Sequence, residues 1–252
     1  MTGAFKDRCG GLSSRLRGWT GEVLRAAAPT DVERGLATPA GGVWKPDDSS
    51  AYCPRCGDSA EPTTVTATGC PVCVDSHIAW QRITRLGAYA APLSLWVCDM
   101  KFRRQWAWCD WLGRQLGGQM PQPLGENSPV VCAAPMHWRR RWSRGYDQAA
   151  LLAQAAATAC GGTYAPILRR TRQTRAQTLI APSKREDNVR GAFALRAPLD
   201  LKGRDVFLID DVKTSGATLS ACTRLLKRSG ALAVHVGVVA VADPKMIRRK
   251  DA

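Results

Sequence analysis

Apolar runs of strand length alternate with amphipathic stretches in the second half of the chain. Residues 129–134, 206–209 and 232–241 form such runs. An alanine-rich stretch reaches about Cys160 after the first run, and an amphipathic stretch at 218–229 follows the second. Buried strands separated by helices are typical of a parallel sheet. The pattern therefore predicts an α/β fold in which helices flank a parallel sheet.

The first half of the chain lacks this alternation and divides by composition. Residues 1–48 are rich in Gly, Ala, Arg, Thr and Pro without a sustained period, which predicts a weakly ordered extension. A targeting peptide and an overlong start are the alternatives. Residues 80–118 turn helical and aromatic. We predict a cysteine-containing module at 49–80, a helical connector or hood at 81–125, and the α/β domain at 126–252.

Four of the ten cysteines form two Cys-x-x-Cys pairs, Cys53 with Cys56 and Cys70 with Cys73. Two such knuckles supply the four thiolates of a tetrahedral Zn²⁺ site. Four protein ligands leave no open position on the metal, so we expect a structural zinc that folds a ribbon-like module. Redox-active or incidental cysteines are the alternative. The sequence shows no export signal, so we expect a reduced, cytoplasmic protein and not a disulfide scaffold.

The net charge is +15, and most of it lies in the second half of the chain. Residues 131–252 carry 22 Lys and Arg against 9 Asp and Glu. This asymmetry indicates an anionic partner, either a polyphosphorylated small molecule or nucleic acid, although a basic surface without a partner would give the same count. No apolar run approaches the roughly 18 residues of a membrane span.

Tryptophans and basic residues are interleaved between Trp96 and Trp111. Such a cluster either stacks on the bases of single-stranded nucleic acid or packs one module onto its neighbour. We favour packing, which is the more common role of an aromatic stripe.

Residues 210–218, Asp-Asp-Val-Lys-Thr-Ser-Gly-Ala-Thr, lie between the apolar run at 206–209 and the amphipathic stretch. Ligands of open α/β sheets bind beyond the carboxyl ends of strands, where the next helix N-terminus favours an anion. The small side chains, hydroxyls and glycine of residues 214–218 suit a phosphate. We expect Asp210 and Asp211 where the strand ends, and carboxylates there suit sugar hydroxyls or, through water, Mg²⁺. A strand, turn and helix without a ligand is the alternative.

This stretch resembles the thirteen-residue phosphoribosyl pyrophosphate (PRPP) signature of type I phosphoribosyltransferases. The resemblance implies that fold and a PRPP molecule bound with Mg²⁺. It also implies that Asp210 and Asp211 hold the ribose hydroxyls. The residues that it assigns to the 5′-phosphate are Thr214, Ser215, Gly216, Ala217 and Thr218.

Further elements resemble the ComF family, in the family's order, from about Cys53 to Ala242. They are the double zinc knuckle upstream, the motif Pro-x-His-x-x-Arg-x-x-x-Arg-Gly-Tyr-Asp-Gln at residues 135–148, and two basic segments that begin at Arg169 and Arg185. Two departures from the family pattern stand out. His137 replaces a proline in the loop that the resemblance assigns to the pyrophosphate, and Lys213 is unusual inside the PRPP signature, where we expect it to add positive charge near the phosphates.

A long basic segment with few apolar residues lies between residues 167 and 204. In type I phosphoribosyltransferases the corresponding region is a flap that closes over PRPP and excludes water. Arginines just past the run at 129–134 are also placed to pair phosphate oxygens. A solvated basic face is the alternative for both regions. The candidates for pyrophosphate and flap contacts are Arg139, Arg144, Arg170, Arg172, Gln177, Arg185 and Asn188.

The resemblance implies a ComF-like protein that binds PRPP and Mg²⁺. If it is an enzyme, it transfers the phosphoribosyl group to an acceptor that the sequence does not identify. Two alternatives belong to other classes. One is a non-catalytic competence protein that handles incoming single-stranded DNA beside a helicase-like partner, and the other is a PRPP-sensing regulator without turnover. The residues predict the ligand better than the reaction.

Overall fold

A computed structural model describes residues 44–136, 144–171, 191–196 and 200–242. Its strands are β1 (Arg82–Ala88), β2 (Val130–Ala133), β3 (Thr163–Tyr164), β4 (Leu168–Arg170), β5 (Phe193–Leu195), β6 (Asp205–Lys213) and β7 (Ala233–Val241). Its α-helices are α1 (Leu93–Phe102), α2 (Ala107–Gly118), α3 (Gln148–Cys160) and α4 (Ala217–Arg228). None of these helices is long and apolar enough to cross a bilayer.

The main sheet has five strands in the order β1-β7-β6-β2-β3, and each neighbouring pair runs parallel. Every residue of β7 is buried, which explains its unbroken apolar sequence. Helix α4 closes one side of the core with Leu219, Cys222 and Leu226. The predicted α/β fold with a parallel sheet flanked by helices is confirmed.

Helices α2 and α3 pack at very close range because two glycines face the partner backbone. A Cβ on Gly113 would lie 2.6 Å from the carbonyl oxygen of Leu152. A Cβ on Gly117 would lie 2.4 Å from the carbonyl oxygen of Ala156. Both distances are shorter than van der Waals contact, so larger residues at these positions would push the helices apart.

The edge strand β1 corrects one expectation from the sequence. The helical pattern predicted for the connector is wrong over Arg82–Ala88, which pairs with β7. Arg85 is buried in this strand, where its guanidinium donates to the Asp47 carboxylate at 2.7 Å and to the Gly57 carbonyl at 2.8 Å. These partners are distant in the chain, so local periodicity could not reveal them. It therefore predicted, wrongly, that Arg85 lies on the surface of a helix.

Strands β4 and β5 form a separate antiparallel pair within the basic segment. Most of that segment, and residues 1–43 of the predicted extension, lie outside the described residues. The predicted domain boundaries therefore stay predictions.

Candidate functional site

Strand β6 carries the acidic pair and continues past it. It ends at Lys213, with Val212 paired to Ala240 of β7, so the expectation that the strand ends at the pair is wrong. Successive side chains of a strand point to opposite faces of the sheet. Asp210 and Asp211 therefore meet different surroundings.

The carboxylate of Asp211 is held by two other elements. Its Oδ1 lies 3.0 Å from Nζ of Lys101, in the last turn of α1. Its Oδ2 accepts a hydrogen bond of 2.9 Å from Nε2 of Gln148, the first residue of α3. The Asp211 side chain is only 12% exposed. Strand β6 and helices α1 and α3 thus meet at this carboxylate.

Asp210 is partly buried, and its Oδ1 accepts a hydrogen bond of 2.8 Å from the backbone N–H of Asp211. Burial and the adjacent charge of Asp211 raise the pKa of Asp210 to about 8, and the charge of Lys101 opposes this rise. Asp147, the N-cap of α3, raises it further. Asp210 therefore changes its protonation near neutral pH.

Residues 214–216 form the turn between β6 and α4. Gly216 caps α4 with φ at +74°, a left-handed conformation that favours glycine. A Cβ at this position would lie 3.0 Å from Cη2 of Trp80. The predicted phosphate-binding residues Thr214, Ser215, Gly216, Ala217 and Thr218 thus meet at a helix N-terminus, where backbone N–H groups favour an anion.

Lys213, the unusual residue of the signature, forms an ion pair with the cysteine module. Its Nζ lies 3.2 Å from Oδ1 of Asp58, and the two side chains are 10% and 14% exposed. The positive charge expected near the phosphates is therefore compensated by a carboxylate of the protein itself.

The four predicted metal ligands come together. Their Sγ atoms lie within 4.8 Å of one another, with 3.8 Å from Cys53 to Cys73 and 3.6 Å from Cys56 to Cys70. A tetrahedron with metal–sulfur bonds of about 2.3 Å has edges of about 3.8 Å, so the cluster fits Zn²⁺. Burial raises the pKa of the Cys53 thiol, but backbone N–H groups of Cys56, Arg55 and Cys70 outweigh burial and bring it down to about 7.

Arg55 links the two knuckles to each other and to the phosphate turn. Its guanidinium donates at 2.7 Å to the carbonyl of Cys73 and at 2.7 Å to that of Ser76. Its own carbonyl accepts a hydrogen bond of 2.8 Å from the indole of Trp80. Since the Trp80 ring packs against Gly216, the cysteine module contacts the phosphate turn directly.

Two of the predicted pyrophosphate and flap residues lie in the described chain. The guanidinium of Arg144 lies 5.4 Å from the ring centroid of Phe102. That of Arg170 lies 5.4 Å from the ring centroid of Phe193, and Arg170 lines a cavity of about 400 Å³ together with Arg196. The predicted residues outside the described chain are Arg139, Arg172, Gln177, Arg185 and Asn188.

The aromatic cluster of the connector packs on itself. Trp96 and Trp108 are buried and stack with their ring centroids 4.6 Å apart, and Trp111 meets both edge-on. Trp96 and Trp108 therefore serve packing within the connector, and the packing of one module onto its neighbour stays a prediction. Phe102 differs, because 73% of it is exposed.

Sequence reasoning missed three residues of this site: Lys101, Asp58 and Trp80. Lys101 and Asp58 belong to no motif, and Asp58 meets Lys213 across 155 positions of sequence. Gln148 could have been found, because it closes the motif at residues 135–148.

Residues 147–252 match a family model described as the phosphoribosyl transferase domain. The chain is 32% identical over 196 residues to DNA utilization protein YhgH of Escherichia coli O157:H7, and this match covers 73% of this chain and 81% of that protein. It is 28% identical over 205 residues to Competence protein F of Haemophilus influenzae, covering 77% and 86%. A match of 69 residues, 42% identical, relates it to adenine phosphoribosyltransferase of Mycobacterium marinum over 26% of this chain and 36% of that protein.

Proposed function

The chain belongs to the ComF family and carries a phosphoribosyltransferase domain, and from this premise we propose that it binds PRPP with Mg²⁺ at the end of β6. One observation supports the proposal most. Asp210 and the phosphate turn lie in one strand–turn–helix unit, with Gly216 in the left-handed conformation that opens the α4 N-terminus.

Each part of PRPP has a matching group in this proposal. The 5′-phosphate accepts hydrogen bonds from the first N–H groups of α4 and from hydroxyls of the turn. The ribose hydroxyls bind Asp210 and Asp211. Arg144 and Arg170 supply positive charge for the pyrophosphate. Mg²⁺, when bound with PRPP, offsets the charge that develops on the leaving pyrophosphate.

The cysteine cluster takes a structural role in this proposal. The four thiolates hold Zn²⁺ with no open coordination position, so the metal folds the module and does not meet PRPP. Reduced thiolates agree with the cytoplasm, where we place the protein.

Phosphoribosyl transfer is the reaction that this site would support. The acceptor attacks C1 of the ribose while the bond from C1 to the pyrophosphate oxygen breaks. The test incubates the protein with PRPP, Mg²⁺ and a panel of nucleobases, and follows pyrophosphate release and the glycosylated product by mass spectrometry. A base-dependent product supports a transferase. Binding without any product supports a PRPP-sensing regulator.

Single-stranded DNA binding is the second candidate, since two relatives are named for DNA utilization and competence. The exposed ring of Phe102 and the neighbouring Arg103, whose side chain is 78% exposed, are suited to stacking on bases and pairing phosphates. A titration at several salt concentrations tests it, because the log–log slope changes by about −0.7 for each neutralised phosphate. In this second candidate function, a helicase-like partner would act on the same incoming single-stranded DNA.

A further inference from the structure

Lys101 contacts the acidic pair although it lies in the connector, outside the PRPP signature. Its Nζ is 3.0 Å from Oδ1 of Asp211, and its side chain is 20% exposed. The ammonium group has three N–H donors, and this ion pair uses only part of that capacity. Lys101 therefore brings a cation directly to the acidic pair, in addition to the arginines proposed for the pyrophosphate.

The end of α1 is anchored, so this contact does not depend on a loose surface chain. Met100 is fully buried, and its carbonyl accepts a hydrogen bond from the hydroxyl of Tyr146. On the other side of Lys101, the ring of Phe102 lies under the guanidinium of Arg144. The segment that begins α3 thus holds Lys101 in place, and the same segment supplies Gln148 to Asp211.

The charges around the acidic pair show why a cation matters here. Asp211 and Asp147 raise the pKa of Asp210, and Lys101 lowers it. Among the described residues, burial, Cys98 and Asp211 raise the pKa of Tyr89, and burial and Asp211 raise the pKa of Cys109. On the α4 side, burial and the charge of Asp210 raise the pKa of the Cys222 thiol, and the charge of Arg170 lowers it. A polyanionic ligand would meet strong repulsion at two adjacent carboxylates without a nearby positive charge.

We propose that Lys101 is a positioning residue of the PRPP site, which fixes the Asp211 carboxylate and compensates the acidic pair so that a polyanionic sugar phosphate can bind beside it. This inference rests on the proposed function. It makes the connector part of the binding site and not only a link between modules.

The test compares three variants by calorimetric titration of the zinc-loaded protein with PRPP and Mg²⁺ from pH 6 to pH 9. Lys101→Met removes the charge and keeps the apolar stem, whereas Lys101→Arg keeps the charge. Lys227→Met, on the exposed end of α4, is the matched control. Unfolding midpoints of all variants are measured in parallel.

At pH 7 we expect Lys101→Met to bind PRPP about tenfold more weakly or worse, the loss typical of one charge-assisted contact. The pH at which binding is half-maximal should also rise, because this variant lacks the Lys101 charge that lowers the pKa of Asp210. Lys101→Arg should recover most of the affinity, and Lys227→Met should match the parent protein.

Three outcomes would overturn this inference in distinguishable ways. No binding by the folded parent protein removes the proposed function and the role of Lys101 with it. Parent-like or tighter binding by Lys101→Met removes the role of Lys101 alone. Equal losses in Lys101→Met and Lys101→Arg, at every pH and with a lowered unfolding midpoint, indicate a purely structural contact and also refute the inference.

Discussion

The ammonium of Lys213 and the carboxylate of Asp58 lie 3.2 Å apart, although 155 positions separate them in the chain. One belongs to the end of β6 and the other to the first cysteine knuckle. Both side chains are largely buried, so this ion pair joins the cysteine module to the strand that carries the acidic pair.

Removing one member of this pair should destabilise the protein. Asp58→Ala leaves the Lys213 charge buried without its partner, so we expect the free energy of unfolding to fall by about 2–4 kcal/mol. Lys213→Met in the same chain should restore much of the loss. Denaturant unfolding at fixed zinc concentration measures both effects. Asp110→Ala breaks a more exposed helix pair with Arg114 and should cost only about 0.5 kcal/mol. Additive losses in the double variant would contradict coupling between the two charges.

Gly216→Ala should impair the phosphate turn in two ways. A left-handed alanine costs about 1–2 kcal/mol, and the new methyl group would press on Trp80. We expect weaker PRPP binding and a lower melting temperature. Gly161→Ala is the control, because Gly161 has a similar φ of +67° but open space around its Cβ position. Equal PRPP affinity in the two variants would show that the turn does not contact the ligand.

The cysteine cluster should hold one zinc ion per chain. Cys56→Ser removes one of four thiolates, so metal content measured by plasma mass spectrometry should fall and the melting temperature should drop. Cys160→Ser, at the end of α3, should keep the full metal content. Unchanged zinc in Cys56→Ser would contradict the four-thiolate site.

The pKa of Asp210 makes stability depend on pH. Its folded value of about 8 lies above the unfolded value of about 3.9, so the native state holds a proton over that interval and the unfolded chain does not. Stability contributed by this group is therefore lost as the pH rises from about 4 through about 8. Asp210→Asn should gain several degrees in melting temperature over the parent at pH 8.5, relative to pH 5. If the melting temperatures of Asp210→Asn and the parent protein change equally with pH across that range, the raised pKa of Asp210 is refuted.

Local patterns predicted most of the elements that hold the candidate site. The Val-rich runs identified the buried parallel strands, and the spacing of Cys53, Cys56, Cys70 and Cys73 identified a cluster whose geometry fits a tetrahedral metal. In each case neighbouring residues carry the information, because strand burial and knuckle geometry are set by short segments.

Long-range pairing accounts for what the sequence did not reveal. The sequence of β1 has a helical pattern, and its strand conformation brings Arg85 to Asp47, a partner distant in the chain. Strand β6 extends past Asp210 because β7 continues to pair with it. In the sequence, Lys101 is one of several basic residues among the tryptophans. Only the folded structure shows that α1 places it against Asp211. These outcomes depend on partners that only the assembled fold brings together.

PRPP binding by the acidic pair is the central claim, and calorimetric titration of the zinc-loaded protein with PRPP and Mg²⁺ tests it most directly. The parent protein is compared with Asp210→Asn/Asp211→Asn and with Glu126→Gln, which removes an exposed carboxylate elsewhere. We expect saturable binding by the parent and by Glu126→Gln, and none by the double variant. Undiminished binding by the double variant, or no binding by the folded parent protein, would contradict the claim.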